Sequence, residues 1–415
     1  MRRARILPVV VATLLPGVAW PQGDPSGTEF RVNTYTNDDQ GSPAIASDAA
    51  GNFVVVWDHS SQFGGMVSGQ RFDASGAPLG GEFLVGSATM GFFGPASVAY
   101  DPAGNFVVVW MSDTGGGYQG SSEEVFARRY AASGVPLGPT FRVNTYTTWY
   151  QNQPRVASDP SGGFVVVWNS TKQGIAGQRF AGSGAPVGPE FVVNTHPPGY
   201  QLSPDVATDA AGGFVVAWQS GQEGPGPPFF TGIYGRRYGN GGIPLGPEFH
   251  VNTFTPHLQT GPSVASAADG AFVVVWQSYI LVGDDLGIYG QRYESSGAPL
   301  GPEFRVDTST AYAIWRQPSV ASDSSGNFVV AWMTTSTNSD VWGQRFASSG
   351  PPLGPEFRVN TYTPASQQQP AVAPGPLGDF VVVWKSWGQD GSLYGVFGQR
   401  FGPIVPVELM DARVE

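Results

Sequence analysis

The 415 residues contain no cysteine. That excludes disulfides, thiol nucleophiles and thiolate metal sites together. Lysine is nearly absent as well, with only Lys172 and Lys385. The formal net charge is −11, and it is more negative still without Arg2, Arg3 and Arg5. A chain without a basic face is not expected to bind a phosphate backbone, so no nucleic-acid partner is expected. The acidity most simply serves solubility. The four histidines (His59, His196, His250 and His257) show no metal-ligand spacing. Helical periodicity and runs of like charge are missing too, and beyond the N-terminus no segment reads as a membrane span.

Glycine and proline are plentiful, with 58 and 36 residues. Such a content raises the question of disorder. The answer lies in the 41% of apolar residues, which come in ordered, recurring runs. Seven times the chain repeats a unit close to Pro-x-Val-Ala-x-Asp-x-x-Gly-x-Phe-Val-Val-Val-Trp, a variable loop, Gly-Gln-Arg-Phe/Tyr, and Ser-Gly-x-Pro-Leu-Gly-Pro-Glu-Phe-x-Val-Asn-Thr. The Trp closing the apolar run falls at 57, 110, 168, 218, 276, 332 and 384, in steps of 50 to 58 residues. A period of this size marks stacked supersecondary units, none of which buries its apolar face alone.

Each unit reads as four strands. In the first unit these are Pro43 to Ser47, then Phe53 to Trp57 after an Asp-x-x-Gly turn, a strand ending in Gly69-Gln70-Arg71-Phe72, and Glu82 to Val85. The uninterrupted second run fits a strand covered on both faces. The expected fold is therefore all-β, a seven-bladed β-propeller of four-stranded antiparallel blades. The Pro-Leu-Gly turn, or its Pro-Val-Gly variant, follows the third strand at Pro78, Pro136, Pro186, Pro244, Pro299 and Pro352 but not after Phe401. An unmatched fourth strand, Glu29 to Asn33, stands at the front. The prediction is that residues 29–33 pair with the Val396 to Phe401 strand and close the ring.

At the N-terminus, Arg2, Arg3 and Arg5 precede an apolar stretch from Ile6 to Ala19, with Gly17 and Ala19 as small residues for cleavage. This is the layout of a secretory signal peptide, too short for a comfortable membrane span. The expected organisation is a signal peptide at 1–19, a linker at 20–28, the propeller at 29–402 and a tail at 403–415. It implies export to the periplasm, the outer surface or the extracellular space.

The phrases Gly-Asn-Phe-Val-Val-Val-Trp, Ile-Tyr-Gly-Gln-Arg-Tyr and Glu-Phe-Arg-Val-Asn-Thr resemble a repeat common in secreted and surface proteins of bacteria, over nearly all of residues 29 to 402. The resemblance implies export and a propeller-like repeat, and no defined activity. The Ser-Asp-x-x-Gly-x-Phe turn also looks like a distant relative of the Asp-box hairpin of sialidase-type propellers, a structural device. Residues 403 to 415 resemble the opening strand of a linker that often precedes an anchoring module.

The repeated aromatics and the seven arginines of the third strands are read as structure, the arginines stacking on rings or bonding to the neighbouring blade. Function is expected where the repeat varies, in the loops before the first strand and between the second and third, which share one face. Tyr35, Trp149, Tyr150, Tyr200, His257, Tyr312, Trp315 and Trp387 lie there. Aromatic rings beside amides suit sugars or a protein surface. Gln40, Gln151, Gln201, Gln259 and Gln367 each stand three residues before the Pro of a first strand. They would form a partial polar ring at the mouth of the channel, or else serve their own loops' backbone.

Scattered loop acids give catalysis little support. The tracts Gly283-Asp284-Asp285 and Gln389-Asp390-Gly391 leave calcium open as a weak alternative, but both lack the full ligand series of a calcium loop and read more simply as solvated acids, so no cofactor is expected. The reading is an exported, monomeric, non-enzymatic module that binds a glycan or polysaccharide, with Trp149, Tyr150 and Trp315 as leading contacts. A protein-binding or cell-surface scaffold and a glycoside hydrolase or lyase are the alternatives.

Overall fold

The computed structural model describes residues 24–403 apart from 62–63, 89–94, 114–122, 197–199, 222–230, 256–257, 280–285, 309–315 and 335–337. The segment read as a signal peptide and the tail from 404 onward lie outside the described residues. Among the described residues every regular element is a strand, arranged as seven four-stranded antiparallel sheets. The fold is the all-β, seven-bladed propeller that the repeat predicts.

Blade 1 shows how a unit is built. Its strands are Asp39–Ser47, Phe53–Ser61, Gly64–Phe72 and Phe83–Ala88, in that order from the channel outward. Side chains alternate across a strand, and here both faces meet another blade. Val54 and Val56 pack with Trp110 of blade 2, whereas Val55 and Trp57 pack with Val381 and Val383 of blade 7. That double coverage explains why the second strand is apolar throughout. Each seam adds a ring triad: Phe53 stacks on Phe72 at 4.9 Å, and Phe30 of the previous blade tilts against Phe72 at 5.4 Å.

Ring closure follows the sequence expectation and extends beyond it. Phe30–Arg31 pairs antiparallel with Tyr394–Phe401, in the register Phe30↔Gly398 and Arg31↔Phe397. Residues 24–27, assigned to a linker from the sequence, also take part. Pro25 bridges Phe401 as Pro78 bridges Phe72 in blade 1. Gln399 Nε2 donates to the Gly27 carbonyl at 3.1 Å, as Gln70 does to Gly80 at 3.1 Å. The Pro25-Ser26-Gly27 segment is therefore the Pro-Leu-Gly turn of blade 7, delivered from the other end of the chain.

Two kinds of polar contact stitch neighbouring blades. The third-strand arginines donate to carbonyls of the next blade: Arg71 to Ser133, Arg179 to Gly241 and Arg292 to Ser348. Arg400 closes the circle on Ser75. A fourth-strand glutamate accepts the backbone N–H of a Thr from the preceding blade, as in Thr34 to Glu82 at 2.9 Å and Thr361 to Glu29 at 2.8 Å. At the seam between blades 1 and 2, Thr140 stands where that Glu belongs and Ser87 where the Thr belongs. Both partners of the clasp change there together.

Candidate functional site: the loop face and channel mouth

The antiparallel order places the loops before the first strands and the hairpins between second and third strands on one face. Of the two readings of the five glutamines, a polar ring at the channel mouth or service to their own loops, the structure follows the second, with the side chains buried in the blades. Gln40, Gln151, Gln201, Gln259 and Gln367 are 0 to 2% exposed. Four of them accept the indole N–H of their own blade's Trp: Trp168 to Gln151 (3.0 Å), Trp218 to Gln201 (2.8 Å), Trp276 to Gln259 (2.9 Å) and Trp384 to Gln367 (2.8 Å). The amide nitrogens of Gln151, Gln259 and Gln367 donate to loop carbonyls, as Gln367 does to Ala365 at 2.9 Å. The physical reason is the buried indole N–H, which must find an acceptor. Blade 1 departs from this rule. Gln40 accepts from Asn33 at 3.1 Å, and Trp57 Nε1 has no partner among the described residues.

Of the residues two positions later, directly before each first strand's Pro, Ser42, Ser203, Gly261, Gln317 and Gln369 line the channel. Ser42, Gln153, Ser203, Gln317 and Gln369, each directly before the strand's Pro, have φ between 43° and 53°, and Gly261 has φ 57°. Such left-handed geometry is uncommon outside glycine. It coincides with a bulge in each first strand whose pairing shifts there, for example between Gly41 and Ala44. Blade-to-blade bonds hold these bulges: the Ser42 N–H donates to Gln369 Oε1 at 3.0 Å, and the Ser203 N–H to Gln153 Oε1 at 2.9 Å. The channel is a cavity of about 500 Å³ lined by Pro, Ser, Ala and Val of all seven first strands. Arg155 and Asp205 are the charged residues of that lining, with Arg155 Nε 3.9 Å from Asp205 Oδ1. Burial pushes the Asp205 carboxyl up, and Arg155 pulls it partly back.

A second polar cluster bridges blades 7 and 1 at the channel mouth. The residue after the conserved-position Trp is Asp58 in blade 1 and Lys385 in blade 7. Asp58 pairs across its hairpin with Gly41, whose missing side chain leaves the carboxylate uncovered on that side. Among the described residues Asp58 Oδ1 has no hydrogen-bond partner, and burial raises its carboxyl above the usual range despite the Ser42 hydroxyl and Lys385. Burial likewise lowers the Lys385 ammonium, which Asp58 and Asp39 favour. Lys385 Nζ lies 4.4 Å above the Tyr394 ring, and the Tyr394 N–H donates to Asp39 Oδ1 at 3.3 Å. Nothing in the local sequence brings Asp39, Asp58 and Lys385 together as a cluster. The usable signal was that the position after the Trp carries Met, Asn or Gln in the other five blades.

The exposed aromatics stand around this mouth. Trp149 is 45% exposed, Tyr150 40%, Tyr200 61%, Trp387 42% and Tyr35 42%. Tyr150 and Tyr200 hold equivalent positions in adjacent blades. Each has its carbonyl pinned by the neighbouring hairpin, to Thr171 N–H at 3.1 Å and Gly221 N–H at 2.7 Å. Lys172 Nζ lies 4.6 Å over the Trp149 ring. Both lysines of the chain therefore sit on aromatic rings of this face. Trp387 meets Tyr394 edge to face at 4.8 Å. His257, Tyr312 and Trp315 lie outside the described residues, as does the Gly283-Asp284-Asp285 tract. Asp390 is engaged within its hairpin, accepting from Ser392 N–H at 3.1 Å.

No protein-family model and no curated protein matches the chain. Solved structures do match in shape. The polysaccharide lyase Uly1 is similar at a TM-score of 0.55 and 11% identity, over 92% of this chain and 94% of that one. An α-L-arabinofuranosidase of Fusarium graminearum gives 0.50 and 9%, over 92% and 98%. A protein of unknown function from Dyadobacter fermentans gives 0.51 and 10%, over 75% and 95%. The likeness is one of fold. Among the described residues, no helix is long and apolar enough to cross a membrane.

Proposed function

We propose that this is an exported propeller that binds a glycan or polysaccharide on its loop face without cleaving it. One observation carries the reading. On a scaffold whose recurring Trp, and one Phe/Tyr pair in every seam, are buried, Trp149, Tyr150, Tyr200 and Trp387 are held 40 to 61% exposed on one face. Rings in that setting offer flat apolar surfaces to sugar rings, and polar neighbours such as Asn152 and Gln368 offer hydrogen bonds to hydroxyls. Two of the similar structures are named for glycan cleavage. At 9 and 11% identity they lend the fold and not the site, so the reading rests on the loops.

The test is a glycan-array screen of the chain from Trp20 onward, followed by titration of the best ligand. Trp149→Ala/Tyr200→Ala is expected to lose binding at least tenfold with an unchanged melting temperature. A blank array would sink the glycan reading and leave a protein partner as the better account.

The Asp58 cluster favours a second reading, cleavage of the bound glycan. A carboxyl whose proton affinity is raised by burial is the kind of group that can protonate a leaving glycosidic oxygen. Incubation of array-positive polysaccharides with the protein would show new chain ends, and Asp58→Asn would abolish them. Binding with no new ends excludes this reading.

A further inference from the structure

On the face opposite the loops, each seam has a small hollow under the arginine of the third strand. At six seams, the turn after the third strand of the following blade covers that hollow. Its glycine, with positive φ, lies so close that an added Cβ would meet the arginine, as in Gly76 against Arg400 (3.0 Å) and Gly134 against Arg71 (2.8 Å). What remains is small. The seams between blades 2 and 3, 4 and 5, and 5 and 6 hold about 20, 220 and 190 Å³.

The seam between blades 6 and 7 is different. Its cavity measures about 560 Å³, with Phe328, Phe346, Leu353, Leu377 and Phe380 among its walls. Asp323 and Asp379 also line it. Its arginine, Arg345, is 7% exposed and donates to the Gly402 and Gly378 carbonyls in place of a turn. Among the described residues no turn covers this seam, where blade 7 takes its third and fourth strands from opposite ends of the chain.

Most of that turn is nevertheless present in two halves. The Gly402 N–H donates to the Asp24 carbonyl at 3.1 Å, just as the Asp73 N–H donates to Ala77 at 2.8 Å. Pro25 and Gly27 then take the roles of Pro78 and Gly80. Counting back in the same register sets Gly23 on Gly76 and Gln22 on Ser75, the residue whose carbonyl Arg400 holds. Gln22-Gly23-Asp24-Pro25-Ser26-Gly27 therefore matches Ser75-Gly76-Ala77-Pro78-Leu79-Gly80 in every position that the turn geometry constrains.

We propose that the segment Trp20–Gly23 docks in the open seam between blades 6 and 7, presenting the Gln22 carbonyl to Arg345 and the Trp20 indole to the apolar walls. The segment leads directly into Asp24, which already stands at the rim, so docking costs little additional chain entropy. A cut after Ala19 would place a new ammonium group beside Asp323 and Asp379, a charge match that the uncut chain lacks. Removal of the leader and completion of the ring are thereby one event.

The experiment compares melting temperatures of the chain begun at Trp20, the chain begun at Asp24, each with Arg345→Ala, and a fifth protein begun at Trp20 and stopped after Pro403. Loss of residues 20–23 is expected to lower the melting temperature by at least about 2 °C. Gly23→Val, which cannot take the positive φ of Gly76, is expected to reproduce most of that fall. The deletion and Arg345→Ala are expected to be non-additive, because they remove the same contact. Equal melting temperatures for the two starts, or strict additivity with Arg345→Ala, would overturn the proposal. So would a fall produced by the stop after Pro403 instead, which would assign the cavity to the C-terminal tail.

Discussion

At the scale of single residues, blade 1 holds two groups that the repeat does not need. Asp58 is a carboxylate with a buried, unpartnered oxygen and a raised proton affinity. A group whose folded pKa is raised stabilises fully below its unfolded pKa, about 3.9, and loses that contribution as pH rises through the folded value. Asp58→Asn is therefore expected to raise the melting temperature at pH 7, with the gain shrinking toward pH 4. Paired thermal scans at the two pH values check it. His59 runs the other way: burial lowers its proton affinity, Glu82 at 3.9 Å opposes the shift only in part, and neither ring nitrogen has a hydrogen-bond partner among the described residues. Its contribution is present above the unfolded pKa of about 6.5 and is lost as pH falls through the lower folded value. His59→Gln is expected to flatten the fall in stability between about pH 6.5 and pH 5, measured by urea midpoints. The sequence marks Asp58 only by its departure from the repeat and gives no mark at all for His59. Asp58 occupies a position where most other blades carry an amide or Met, and His59 follows it in a hairpin that reads as a variable loop.

At the scale of the strand and turn, the repeat phrases translate directly into contacts. The apolar run is apolar because its two faces enter two different seams, and the Gly-Gln-Arg phrase serves the ladder, the Pro-Leu-Gly turn and the next blade in that order. Arg179 donates to the Gly241 carbonyl at 2.9 Å and also to Asn240 across the seam. Arg179→Ala is expected to cost about 1–2 kcal/mol, since a charge-assisted pair is lost but the carbonyls stay near solvent. Arg179→Lys should recover part of that. Denaturant titration at fixed pH measures both. The turn tips explain what the sequence concealed at residues 24–28. Seen as a string they are polar and short, hence a linker. Seen against Phe401 and Gln399 they are half of a turn whose other half lies nearly four hundred residues away.

At the scale of the whole molecule, closure is the decisive contact, because seven blades that touch only their neighbours have no other way to remove two open ends. Phe30 carries much of it, tilted on Phe53 at 6.1 Å and on Phe72 at 5.4 Å. Phe30→Ala is expected to cost about 3–5 kcal/mol. Removal of residues 24–33 should cost more and should split the single thermal transition into a broad one, as seen by calorimetry. The same ring geometry gives the loop face its reach. Adjacent blades present Tyr150 and Tyr200 from equivalent positions on that face.

The sequence by itself determined the architecture: the period, the seven Trp, the six complete Pro-Leu-Gly or Pro-Val-Gly turns and the displaced fourth strand each follow from local pattern, and each contact they imply lies within one blade or between neighbours. It also marked the loops where aromatics stand. Only the tertiary structure decided which side chains face the channel, because a bulge of one residue reverses the facing of a strand. The bulges at Ser42, Ser203 and Gln369 direct residues directly before the Pro to the lumen, while Gln40, Gln201 and Gln367 stay inside the blades. It decided, too, that Asp58 and Lys385, more than three hundred positions apart in the chain, meet at the closing seam. Their proton affinities depend on burial and on one another, and neither quantity is a property of local sequence.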